Sequence, residues 1–339
     1  MEAAKTSMKC YCNVLAMDKG LDPAGYAGAF DDAMLVETPL PWKRPMQKIT
    51  GALPQQIVDL LHLWRTQSQA GTPSRHRPLM IAPDTTYSRR GCRRVMFFTR
   101  TMPRIAQYTR TEYLVPEAEM GPLVWAWYQA QTDLPRFDPY RVDRQDVRDL
   151  LVCTHGTVDA ACAKFGFPLY ALLRQQYAHA RLRVWRVSHF GGHVFAPTML
   201  DLPTGHYWAY VDTAQAAQIV EQTGDVHKLY GHYRGWAGCV PGFVQVAERE
   251  VWMQHGWDWF AYQKAGQIIA ADTTAAHAQW AQVRFDYATP DDEQPGSYEL
   301  RVEVRMHVHA RPKTDDQQEH AYPQYVVTDM QRINHAARL

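Results

Sequence analysis

The residues best suited to chemistry lie between positions 153 and 193, where two cysteines are followed by two histidines. Cys153 and Cys162 are separated by eight residues, and His189 and His193 are separated by three. Each pair follows an apolar, strand-like run and lies in or beside a glycine-bearing loop. Thiolate and imidazole are the ligands that zinc and iron–sulfur clusters favour. We therefore predict a metal centre held by these four side chains.

Several other kinds of site fit this spacing less well. A zinc protease would need a Glu after His189, and Gly191 and Gly192 make a helix between the two histidines unfavourable. Redox dithiols favour a close Cys-x-x-Cys arrangement, and Cys153 and Cys162 are too far apart in sequence for that. The chain lacks the Gly-x-Ser-x-Gly motif that would indicate a hydrolase. Structural zinc sites usually have two to four residues between their thiols, against eight here. An iron–sulfur cluster and a structural zinc ion both remain open.

The overall composition excludes several classes of protein. Hydrophobic residues make up 46% and charged residues 21% of the 339, so a folded globular chain is expected rather than a disordered one. The formal net charge of +1 gives no reason to expect binding to nucleic acid or to an anionic membrane. No apolar run approaches the ~18 residues of a membrane span, and the first residues do not resemble a signal peptide. The six cysteines are too scattered for a disulfide framework. We expect a cytoplasmic protein with reduced thiols.

The elements that must position the four ligands belong to the middle of three predicted units. A polar segment with Pro135 and Pro139 places a boundary after an N-terminal α/β domain over residues 1–138. In residues 139–238 we predict a strand at 149–153, a loop to Cys162, and a helix from about Pro168. A strand, a strand pair and a last helix follow. This β-α-β-β-β-α order is compatible with a thioredoxin-like layer of helices against a mixed sheet. Residues 239–339 form the third unit, with helical patterns followed by a β-hairpin. The predicted fold class is α/β (α+β).

In the first unit, apolar spacing predicts a core helix over residues 55–67. Short apolar runs at 78–82 and 95–98 are typical of adjacent strands, with an arginine-rich hairpin tip at 88–94 between them. The tip is expected to be a solvated surface, and the alternative is a docking patch for an acidic redox partner or a phosphate.

The chain resembles the sucrase/ferredoxin-like family, which includes bacterial proteins and the fungal actin-patch-distribution proteins. The resemblance extends over most of the chain to about residue 250. The residues that carry it are Cys153-Thr-His-Gly-x-x-Asp159-x-x-Cys162, Ser188-His189-x-Gly191-Gly192-His193-x-Phe195-Ala196, Pro203-x-Gly205, Tyr233-Arg234-Gly235, and upstream Cys12-Asn-Val-Leu-Ala with Pro41-Trp42.

This resemblance implies a thioredoxin-like ferredoxin domain with a [2Fe-2S] cluster bound by Cys153, Cys162, His189 and His193. An all-cysteine site has a charge of about −2, whereas two thiolates and two neutral imidazoles leave it near zero, so reduction should be easier. Because the two pairs are segregated in sequence, we expect both cysteines on one iron and both histidines on the other. Partly exposed histidines would make reduction proton-coupled.

The leading interpretation is an electron-transfer protein, an electron carrier or oxidoreductase component with unknown donor and acceptor proteins. The alternative is a structural or interaction protein with a Cys2His2 zinc site. His155 and Asp159 are expected to be either partners of the ligands or simple loop residues. For Arg234 a structural salt bridge is expected over a docking role.

Overall fold

The structure is a computed structural model that describes residues 10–43, 46, 53–72, 75–144, 146–272, 277–291 and 295–333. Residues 1–9, on which the expectation about a signal peptide depends, lie outside this range. The described helices are α1 (Cys12–Asp18), α2 (Gln55–Gln69), α3 (Met120–Gln129), α4 (Ala160–Gln176), α5 (Thr213–Glu221) and α6 (Phe243–His255). The described strands are β1 (Asp32–Glu37), β2 (His76–Ile81), β3 (Cys92–Thr99), β4 (Thr109–Pro116), β5 (Arg148–Cys153), β6 (Leu182–Val187), β7 (Met199–Leu202), β8 (His206–Trp208), β9 (Tyr233–Trp236), β10 (Gln263–Ala271), β11 (Trp280–Ala288), β12 (Gly296–Ala310) and β13 (His320–Ile333).

Strands β1 to β9 form a single sheet in the order β4-β3-β1-β2-β6-β5-β7-β8-β9. The predicted α/β class is confirmed, because helices pack on a mixed sheet. Strand β1 shows how both faces are covered. Met34 and Val36 belong to the core cluster that includes α2 and α3, whereas Leu35 belongs to the cluster on the other face. Successive side chains of a strand point to opposite faces, so a strand buried on both sides is apolar throughout.

The middle of this sheet has the predicted β-α-β-β-β-α order, which is β5-α4-β6-β7-β8-α5. Strands β5 and β6 are parallel and are joined by α4 as a crossover, while β7 and β8 pair antiparallel beside β5. The carboxyl ends of β5 and β6 therefore lie next to each other at the same edge of the sheet. The two segments that carry the predicted ligands begin at this edge.

The prediction that the strands near residues 80 and 96 are adjacent is wrong. Strand β1 lies between β2 and β3, parallel to β2 and antiparallel to β3. The arginine-rich segment between them is therefore not the tip of a hairpin. Within it Arg89 and Arg90 are exposed, but Arg94 is buried in contact with Glu112. Local sequence patterns predict strands but not their order in a sheet, because the pairing depends on distant segments.

The C-terminal part of the chain forms a second sheet of four antiparallel strands, in the order β10-β11-β12-β13. The predicted hairpin near residues 282–309 is confirmed as β11 and β12, whose turn is only partly within the described residues. Val308 and Ala310 of β12 pack in one cluster with Val194 and Phe195, and Lys264 of β10 forms a β-bridge with Ile105.

The domain boundaries at 138/139 and 238/239 stay a prediction. Strands from both sides of the first boundary share one sheet, and they are also joined by a buried ionic network. It consists of Arg94, Arg110, Glu112, Asp149 and Arg183. None of the helices in the described parts of the chain is long and apolar enough to cross a membrane.

Candidate metal centre

The four predicted ligands come from the ends of the parallel strands β5 and β6. Cys153 is the last residue of β5, and His189 follows β6 by two residues. His193 begins a short 3-10 helix, His193–Phe195. Cys162 lies in the first turn of α4, because this helix begins at Ala160 rather than near Pro168 as the sequence predicted. The Asp159 side chain accepts a hydrogen bond from the Ala161 N–H at 2.8 Å, and this cap starts the helix early.

Cys153, Cys162 and His189 form one compact donor set. Nδ1 of His189 lies 3.7 Å from the sulfur of Cys153 and 3.7 Å from that of Cys162, and all three donor atoms lie within 4.8 Å of one another. Both thiols are buried and neither forms a disulfide. A hydrogen bond between the two thiols holds the pKa of Cys153 well below its ordinary value. The same bond, together with burial, raises the pKa of Cys162. The lowered pKa of Cys153 favours its thiolate, which is the form that binds a metal.

Glycine at position 166 allows α4 to start so close to the end of β5. A Cβ atom there would lie 2.0 Å from the carbonyl oxygen of Cys153, which no side chain could tolerate. Gly166, in the second turn of α4, thus lets the helix pack directly against the end of the strand. A helix N-terminus stabilises negative charge, so this placement favours the thiolate form of Cys162 once a metal binds.

His193 lies beside His189 but faces a second group of side chains. The two imidazole rings stack with centroids 5.2 Å apart. Nδ1 of His193 lies 3.9 Å from Oδ2 of Asp159 and 4.0 Å from the sulfur of Cys12. Burial and the charge of His189 lower the pKa of His193 to about 4, so this imidazole is neutral at neutral pH. A neutral imidazole is the form that binds metals.

His155 holds the backbone of His189 in place. Its Nδ1 accepts a hydrogen bond from the backbone N–H of His189 at 3.2 Å, while its Nε2 lies 3.1 Å from the carbonyl oxygen of Trp42. Since Nε2 donates to that carbonyl, Nδ1 is free to accept. Burial lowers the pKa of His155, which keeps the ring neutral in this role. His155 is thus a partner of a predicted ligand.

The loop between the two histidines folds around the buried guanidinium of Arg234. Gly191 and Gly192 have φ values of +95° and +79°, a region that favours glycine. Arg234 donates to the carbonyl oxygen of Gly191 at 2.9 Å and lies against the rings of Phe195 and Tyr207. Arg234 is only 4% exposed, so it does not serve for docking. The expectation of a salt bridge is also wrong. Among the described residues, no carboxylate lies within ion-pair distance of Arg234.

Two residues near His193 were not predicted from the sequence. Cys12 was noted only as part of the family resemblance, although its sulfur lies at the site. Thr314 comes from the connection between β12 and β13 and binds both carboxylate oxygens of Asp159. No local pattern indicates Thr314, because its role depends on a contact across 155 residues of sequence.

The donors suit a thiolate- and imidazole-binding metal. Two buried free thiols and the imidazole of His189 share one small space, and the neutral imidazole of His193 stacks beside that of His189. Soft sulfur and borderline nitrogen donors select iron–sulfur clusters or zinc over magnesium or calcium. The residues present therefore fit a [2Fe-2S] cluster, and they fit a zinc ion as well.

The family model described as sucrase/ferredoxin-like matches residues 23–235. This match includes all four predicted ligands and ends before the second sheet. No curated protein and no solved structure matches the chain significantly.

Proposed function

The chain belongs to the sucrase/ferredoxin-like family, and from this premise we propose that it is an electron-transfer protein with a [2Fe-2S] cluster. Cys153, Cys162, His189 and His193 would hold the cluster. The observation that carries the proposal is the convergence of two buried, free thiols and the Nδ1 atom of His189 within 4.8 Å. When bound, such a cluster accepts and releases one electron at a time.

The surrounding protein supplies orientation and electrostatics. His155 fixes the backbone of His189, and the buried Arg234 places a positive charge behind the loop that carries both histidines. A buried positive charge favours the added electron, since reduction makes the centre more negative. Together with two neutral imidazole ligands, this charge should raise the reduction potential above that of an all-cysteine ferredoxin. The donor and acceptor proteins would be redox proteins of unknown identity.

We also propose that reduction is coupled to proton uptake. Both His189 and His193 are partly exposed, so a ring nitrogen that does not bind metal can exchange protons with solvent. A reduction potential that did not change with pH across the neutral range would contradict this coupling. The assignment of the two cysteines to one iron and the two histidines to the other belongs to the same proposal.

The second candidate function is a scaffold or interaction protein with a structural zinc ion. It is favoured by the 3.7 Å separations between Nδ1 of His189 and the sulfurs of Cys153 and Cys162, which suit donors placed around a single metal ion. For either function the six free thiols suit a reducing compartment, and on that ground we place the protein in the cytoplasm.

The test is the colour, metal content and EPR spectrum of protein purified without oxygen, before and after dithionite. Wild type should be reddish brown with two irons per chain. Its reduced form should give a rhombic signal of low average g, which His193→Cys moves toward the ordinary ferredoxin type. Cys153→Ser should lose the cluster, whereas Cys92→Ser, a matched change on β3, should keep it. A colourless, EPR-silent protein with one zinc per chain would overturn electron transfer and support the scaffold.

A further inference from the structure

The connection between β12 and β13 returns to the metal centre and binds Asp159. Thr314, within this connection, is 5% exposed. Its backbone N–H donates to Oδ2 of Asp159 at 2.8 Å, and its hydroxyl donates to Oδ1 at 2.7 Å. The family match ends at residue 235, so this contact comes from a part of the chain outside that match.

The N-terminal segment joins the same group. The backbone N–H of Cys12 donates to the Thr314 hydroxyl at 3.4 Å, and the Cys12 sulfur lies 3.8 Å from Oδ1 of Asp159. Cys12 is completely buried. Three segments that are far apart in sequence therefore meet at one carboxylate. A convergence of this kind restricts the carboxylate to one orientation.

That orientation directs Asp159 at His193. Oδ1 accepts from Ala161 and Thr314, and Oδ2 accepts from the Thr314 N–H. Oδ2 also lies 3.9 Å from Nδ1 of His193, somewhat longer than a hydrogen bond. Oδ2 accepts one of the three bonds, so it keeps a lone pair that can accept from an Nδ1–H group on this side of the ring.

A second metal site at Cys12, Asp159 and His193 is the competing interpretation, since their donor atoms also lie within 4.8 Å of one another. The number of cobalt ions bound by wild type and by Cys12→Ala, measured as described below, distinguishes the two interpretations.

We propose that Asp159, fixed by Thr314 and Cys12, is a positioning residue that makes His193 bind metal through Nε2. The carboxylate faces Nδ1 of His193, whereas in His189 the Nδ1 atom itself lies beside the two thiols. The two histidines thus present different nitrogens to the centre. Carboxylate partners of this kind fix the tautomer and orientation of metal-binding histidines. The inference rests on the proposed function only in that His193 is a ligand, and it holds for zinc as well as for a cluster.

The test uses cobalt(II) added to the full chain freed of metal. Thr314→Val removes the hydroxyl at nearly constant volume and should weaken cobalt binding about 10-fold. Thr314→Ser restores the hydroxyl and should bind within about twofold of wild type by the same reasoning. Thr328→Val makes the same change at an exposed position of β13 and is the matched control. Equal cobalt affinity of Thr314→Val and wild type would overturn the inference.

A spectroscopic measurement separates positioning from general stability. In cobalt-loaded wild type, NMR should show a paramagnetically shifted, exchangeable N–H signal from Nδ1 of His193. Asp159→Asn keeps the helix cap, since Asn is also a favourable N-cap, but it should lose this signal or speed its exchange. This variant also serves if Thr314→Val does not fold. An unchanged signal would refute the proposed role of Asp159.

Two further controls keep this test independent of the proposed function. If His193→Ala binds cobalt as tightly as wild type, His193 is not a ligand and the inference falls, whatever metal the protein carries. If wild type binds two cobalt ions and Cys12→Ala binds one, the second group is a metal site rather than a positioning group. A colourless zinc protein that shows the Thr314 effect would overturn electron transfer and leave this inference intact.

Discussion

The backbone N–H of His189 donates to Nδ1 of His155 at 3.2 Å, so one histidine of the cysteine loop anchors a predicted ligand of the next loop. We predict that His155→Gln weakens metal retention, because the amide of the longer glutamine side chain does not lie at the position of the histidine Nδ1 atom. His155→Asn places an acceptor near that position and should keep more of the metal. The cobalt(II) affinity of the His155→Gln variant should be about 10-fold lower than that of wild type. Competition with a colorimetric chelator measures it, and equal affinity of the Gln and Asn variants would contradict the anchoring role.

Arg234 provides a buried positive charge behind the loop that carries both histidines. We predict that Arg234→Gln lowers the reduction potential of the reconstituted protein, because the reduced centre loses a favourable electrostatic interaction. A tenfold change in the one-electron equilibrium corresponds to about 59 mV, and a shift of this order is expected. Arg234→Lys keeps the charge and should shift the potential less. Arg181→Gln, at an exposed arginine, should leave it unchanged in the same redox titration.

Arg234 leaves no room for a side chain at Gly192, whereas it leaves room at Gly191, which it contacts through the carbonyl oxygen. A Cβ atom at Gly192 would lie 2.4 Å from Cζ of Arg234, whereas at Gly191 the nearest atom of that side chain is 3.7 Å away. Both positions have positive φ, so alanine at either should cost about 1 to 3 kcal/mol of unfolding free energy. Gly192→Ala should cost more than Gly191→Ala because it also displaces the guanidinium. Urea unfolding of the metal-free chain compares the two, and a larger loss for Gly191→Ala would contradict this packing.

Asp149 links β5 to Arg183 of the neighbouring strand β6 and to Arg110 of β4. Burial alone would raise its pKa, but these two arginines hold it below the ordinary value. Because the folded-state pKa is lowered, the carboxylate stabilises the fold above its unfolded-state pKa of about 3.9. This stabilisation is lost as pH falls through the folded-state value.

We therefore predict that Asp149→Asn costs about 3 kcal/mol at neutral pH, as expected when one partner of a buried ion pair is removed. The difference from wild type should narrow at acid pH, where wild type loses the same interaction. Thermal and urea unfolding at several pH values measure it. Asp146→Asn, in an exposed pair with Arg181, should change stability by less than about 1 kcal/mol. A difference between Asp149→Asn and wild type that does not depend on pH would contradict the assignment.

The sequence by itself determined the chemistry of the centre and most of the local structure. Cys153, Cys162, His189 and His193 could be selected because thiols and imidazoles are the side chains that bind iron and zinc. Elements such as α2 and the β11–β12 hairpin were predictable from apolar periodicity, since the period follows from the local geometry of the backbone. The order of strands around β1 was not predictable, because sheet pairing depends on segments far apart in the chain.

Only the tertiary structure decided how the predicted ligands are held. Cys12 and Thr314 are separated by 302 residues of sequence yet touch at the centre, and no local pattern carries that information. The same holds for Arg234, whose burial against the loop of Gly191 and Gly192 required the folded sheet. Ligand identity is a property of the residue type, whereas the orientation of a ligand depends on contacts from every segment packed around it.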